Sequence, residues 1–153
     1  MGRPPCSPAN LIPWILKCWK NFRFKINQLP LEEALQETID FWQSCPWTAF
    51  YLDLDNPESW PNAWDLIIDN YYCDLAKVLG IVYTLYHSKH GTNLELEVRV
   101  YVDPSTGYQY CIAYLDQGKY VLNLIDNQVL NNTDIAETLT LKRCYEATEL
   151  KLE

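Results

Sequence analysis

The chain has 153 residues, 48% of them apolar and 21% charged, which is a globular composition with enough length for one buried core. A formal net charge of −8 excludes a surface built as a nucleic-acid platform, and only 5 glycines exclude collagen-like or flexible-linker sequence. No apolar run approaches the roughly 20 residues of a membrane span, so no membrane role is expected.

The charge is unevenly spread. Residues 1–30 carry Arg3, Lys17, Lys20, Arg23 and Lys25 and no acidic residue, which leaves −13 on the other 123 residues. In chain order, Ser7-Pro8 or Asn10 starts a helix in which Leu11, Ile12, Ile15, Leu16, Trp19 and Phe22 recur at helical spacing. Residues 1–29 are read as a basic, aromatic arm, and residues 30–153 as a single α+β domain. Arg3, Trp14, Lys17, Trp19, Lys20, Phe22, Arg23 and Lys25 are the expected partner-binding residues, with aromatic anchors set among uncompensated cations.

Pro30 opens a second helix, with Leu31, Ala34, Leu35, Ile39 and Trp42 on its apolar stripe, and Pro46 ends it. Residues 45–61 form a loop pinned by Trp47, Phe50, Tyr51 and Trp60. A short helix follows over Ala63–Asp69. From Cys73 the pattern Ala76, Leu79, Val82, Leu85, Tyr86 marks a longer, more apolar helix at the centre of the fold. Gly80 within it costs about 1 kcal/mol against alanine and predicts a close approach. After Gly91 the period changes to two. Leu94, Leu96, Val98, Val100 and Val102 make one strand, and Tyr108 to Leu115 a second. Asp116-Gln117-Gly118 is a hairpin turn, Lys119 to Leu124 a third strand, and Thr138 to Ala147 a fourth. Helices first and antiparallel strands after predict an α+β fold, with N-terminal helices on one face of a sheet of about four strands.

Cysteines stand at positions 6, 18, 45, 73, 111 and 144, with no CxxC pair. No secretory signal is visible, so they are expected to be mostly reduced and mostly buried. For the same reason the Asn131-Asn132-Thr133 sequon is set aside. Asp53, Asp55 and Glu58 are oxygen donors without the glycine and spacing of a calcium loop, so no metal and no cofactor are expected.

The order of parts carries the functional signal. Ala63-Trp64-Asp65-Leu66-Ile67 leads to Tyr71-Tyr72-Cys73-Asp74-Leu75-Ala76, where the cysteine opens the central helix. Tyr108 to Tyr114 and then Gly118 to Asp126 follow as a strand pair. This order resembles the transglutaminase-like branch of the papain-like cysteine enzymes over roughly residues 31–126. The resemblance implies that Cys73 is the nucleophile position and Asp126 the third triad member. The family histidine falls at Tyr110, or at Gln109 or Tyr108 if the register slips. His87 and His90 are the sequence's two histidines, and His87 lies about 21 Å of helix rise beyond Cys73. A thiol without an imidazole lacks its proton acceptor.

The expectation is therefore a non-enzyme: a degenerate domain with Cys73, Tyr110 and Asp126 as vestigial positions, serving as a structural part. The chain also resembles small virion components of large tailed bacteriophages of the myovirus type. That resemblance implies protein partners in a larger assembly, a homo-oligomeric contact within it, and a virion assembled in host cytoplasm. The alternatives are an active cysteine hydrolase or acyltransferase using Cys73, with a base from a partner chain or from His90, and a soluble adaptor protein.

Overall fold

The structure is a computed structural model and describes residues 12–45, 52–69 and 72–152. Four helices precede four strands among the described residues: α1 Ile12–Asn27, α2 Leu31–Gln43, α3 Ala63–Asp69, α4 Asp74–Tyr86, β1 Leu96–Val102, β2 Gln109–Leu115, β3 Tyr120–Leu122 and β4 Thr140–Glu146. The fold class is α+β, as the switch from a period near 3.6 to a period of two predicts.

The strands pair antiparallel in the order β3-β2-β1-β4. Leu96 faces Leu115 and Val100 faces Cys111 across β1 and β2. Alternation sends Val98, Val100, Cys111, Ala113 and Leu115 toward the helices. The opposite face is also covered: Tyr101, Ile112, Tyr114 and Val121 pack under Leu124, Leu130, Ile135 and Leu139, from the segment between β3 and β4.

Helix α4 is the axis of the core. Every residue from Leu75 to Leu85 is buried, so it needs no polar face. Gly80 is the point of closest approach. A β-carbon there would stand 2.5 Å from the Trp42 indole of α2. Next to it, Thr84 Oγ1 donates to the Gly80 carbonyl (2.6 Å) and accepts from the indoles of Trp19 and Trp42 (2.9 Å each). One hydroxyl thus uses its donor and both lone pairs to tie α1 and α2 to α4.

That knot corrects the expected arm. Trp19 is 1% exposed and Phe22 stacks on Phe41 of α2 (centroids 4.4 Å apart), so both anchors are spent inside the chain. The reason is the helical spacing itself, which puts Trp19, Phe22 and Ile26 on one face and Lys17, Lys20 and Lys25 on the other. Lys17 and Lys20 are exposed on that outer face, Lys25 pairs with Glu37 (2.8 Å), and the Arg23 guanidinium lies 4.3 Å from the Trp19 ring. Arg3 and the Trp14 side chain lie outside what the structure describes. So do Cys6, Pro46, Trp47, Phe50 and Tyr51. Of the other cysteines, only Cys73 and Cys111 are buried, while Cys18, Cys45 and Cys144 are half-buried and narrow the expectation of mostly buried thiols.

Candidate functional site

Cys73 is the N-cap residue of α4, with an extended backbone (φ −74°, ψ 175°) and no side-chain capping bond. A helix start leaves its first N–H groups without intrahelical acceptors and carries the positive end of the helix dipole. Cys73 is thus a thiol beside backbone donors, and it is 4% exposed.

The thiol lines a cavity of about 250 Å³. From the start of α4 come Cys73, Asp74 and Leu75. From β2 and the turn before it come Gly107, Tyr108, Gln109 and Cys111, and Leu54 closes the side. Leu54 is held in place by two bonds to its segment: Tyr145 Oη donates to the Leu54 carbonyl (2.7 Å) and Trp60 Nε1 to the Asp53 carbonyl (2.6 Å). Burial pushes the Cys111 thiol up to about 12, and the neighbouring Asp74 and Cys73 add to it, so Cys111 is a neutral wall of the cavity. Partial burial and the charge of Asp74 also raise the Tyr108 phenol.

The register separates the three candidate positions for the family histidine. Tyr110 packs on the far face of the sheet, opposite Tyr101 and with the cluster of Ile112 and Tyr114. Gln109, one residue earlier, faces the cavity with Cys73. In a strand a shift of one residue exchanges the two faces, so Gln109 and Tyr110 point oppositely. Tyr108, the other register considered, also lines the cavity.

Asp126 is exposed in the turn after β3 and lies within electrostatic reach of Tyr108. The residue directly after β3 is Asn123, which sequence reasoning missed. It has a left-handed backbone (φ 73°), donates Nδ2 to the Cys111 carbonyl (2.9 Å) and accepts from Gln43 Nε2 of α2 (3.0 Å). Its signal was the Asn-Leu-Ile-Asp run, where an asparagine tolerates the positive φ that ends the strand.

Neither histidine approaches this end of α4. His87 is the C-cap residue of α4, and its Nε2 donates to the Leu152 carbonyl beside Trp64. His90 Nε2 donates to the Ile26 carbonyl (3.0 Å), which removes His90 as a base folding back onto Cys73. Lys77, buried one turn after Cys73, points its amine at the Gln43 carbonyl (3.5 Å), at the negative end of α2. Asp53 Oδ1 accepts from the Asp55 N–H (2.9 Å), and Asp55 pairs with Arg143 (3.2 Å). Among the described residues no group of three or more His, Cys, Asp or Glu side chains is placed to hold a metal ion.

No protein-family model matches the sequence. No curated protein matches it either. Solved structures do match in fold. Legionella pneumophila LapG has a TM-score of 0.68 at 10% identity, covering 90% of this chain and 78% of that one. An EGTA-treated LapG gives 0.67 at 10% identity over 89% and 77%, and a calcium-bound LapG gives 0.65 at 10% over 88% and 78%. These comparisons lend no support to a phage particle. They also count against the expectation of a non-enzyme, since all three of these fold neighbours are structures of LapG. What this chain shares with LapG is the transglutaminase-like α+β fold.

Proposed function

We propose that the chain is a cysteine hydrolase or acyltransferase with Cys73 as its nucleophile. The observation that carries this reading is the place of Cys73: at the N-terminus of the buried central helix, lining a cavity opposite Gln109. The likeness of the fold to LapG supports it.

In this reading Cys73 Sγ attacks a substrate carbonyl carbon. The C–S bond forms, the leaving amine or alcohol departs with a proton, and water or an acceptor nucleophile then takes the acyl group from the thioester. The N–H groups of the first turn of α4 stabilise the developing oxyanion, and the Gln109 amide lies across the cavity to assist. The base that takes the thiol proton comes from a partner chain or from the substrate itself, since His87 and His90 are engaged at the other end of α4. The exposed cations Lys17 and Lys20 on α1 offer a docking face for an acidic partner.

The test uses a small activated ester, with and without millimolar imidazole as an external base. Mass spectrometry reads the acyl adduct. The expected result is a thioester on Cys73, faster with imidazole and absent in Cys73→Ala. A folded protein that forms no adduct at Cys73 even with imidazole would falsify the reading.

A further inference from the structure

The cavity beside Cys73 is more selective in its chemistry than a thiol site requires. Leu54, Leu75 and Cys111 form a buried wall, and the Cys111 thiol is neutral. Tyr108, 55% exposed, presents an aromatic ring at the mouth. Gly107, exposed in the turn before β2, lines the cavity without a side chain of its own. Asp74 supplies a carboxylate, and among the described residues no lysine, arginine or histidine lines the cavity against it. A space of about 250 Å³ can hold one large side chain but not several.

We infer that this cavity is the subsite for a substrate side chain adjoining the reacting carbonyl, and that it selects a large aliphatic or aromatic group and rejects an anionic one. The inference rests on Cys73 being the nucleophile, which places the reacting carbonyl at the cavity's edge. An apolar group there leaves water for Leu54, Leu75 and Tyr108. An anionic group would lose its hydration beside Asp74 with no cation in return.

The experiment has two arms. In the first, the intact protein reacts with chloroacetamides whose nitrogen carries pentyl, benzyl, carbamoylmethyl or carboxymethyl. Each reaction forms an S–C bond at Cys73 and releases chloride, and the thiol proton goes to buffer. The pentyl and benzyl reagents should label Cys73 about tenfold faster than the carbamoylmethyl one, the scale by which an apolar pocket discriminates a methylene. The carboxymethyl reagent should be slowest. Asp74→Asn should narrow the gap between the two polar reagents and leave the apolar preference in place.

In the second arm, Cys73→Ala protein is titrated with N-pentylacetamide and read by methyl NMR. Shifts at Leu54 and Leu75 are expected. Equal labelling by all four reagents would overturn the selective subsite while leaving Cys73 a reactive thiol. Leucine shifts without any labelling would keep the subsite and sink the nucleophile. If neither labelling nor shifts occur, both fall.

Discussion

The indole of Trp19 donates a 2.9 Å hydrogen bond to Thr84 Oγ1, joining the first helix to the central one across 65 residues of sequence. Trp42 donates to the same oxygen. Thr84→Val keeps the shape but orphans two buried indole N–H groups, each at a cost of about 1–3 kcal/mol. Urea denaturation should show a loss near the sum. A loss under about 0.5 kcal/mol would mean that the indoles find other acceptors.

Gly80→Ala should destabilise the chain although alanine is the better helix former by about 1 kcal/mol. The added methyl would meet the Trp42 ring at 2.5–2.6 Å. That ring cannot yield, because its Nε1 is held by Thr84 and its body is buried. Overpacking of this kind costs about 1–3 kcal/mol. A rise in the thermal midpoint would show that the ring moves aside.

The register of β2 makes a paired prediction. Gln109→His puts an imidazole on the cavity face, and Tyr110→His puts one on the far face. A positioned base contributes about 10²–10⁴-fold to rate. Acylation of Cys73 should therefore rise by up to that factor in Gln109→His and stay unchanged in Tyr110→His. Equal rates in both variants would place the missing base elsewhere.

Glu32, at the start of α2, accepts a 2.8 Å hydrogen bond from Tyr120 Oη of β3. That bond is the first cause of a lowered Glu32 pKa, with a backbone bond and the charge of Lys119 adding to it. The folded value lies below the unfolded one. The contribution to stability is thus present above the ordinary carboxylate range and is lost as pH falls through the folded pKa. Tyr120→Phe should flatten the fall in urea midpoint between pH 6 and pH 3. Parallel curves for parent and variant would show that the bond does not hold Glu32 ionised.

Much of the fold was legible because the relevant signals are local. The spacing of Leu31, Ala34, Leu35, Ile39 and Trp42 is enough to define α2, and the alternation from Leu94 to Val102 enough to define β1. The more apolar run after Cys73 marks a central helix, and α4 is buried from Leu75 to Leu85. The head of that helix is also where the cavity opens, so the position of Cys73 was legible too.

By itself the sequence determined the order of elements, the central helix and the cysteine that begins it, since each follows from periodicity within about a dozen residues. The tertiary structure alone decided three other points. It turned the aromatic face of α1 inward, because the acceptor for Trp19 is on Thr84 and no local pattern names a partner so distant. It put Gln109 rather than Tyr110 opposite Cys73, because a period of two defines two faces without saying which one meets the helices. It kept His87 and His90 at the far end of α4, because a helix holds its two ends apart by its own length, about 20 Å for 13 residues.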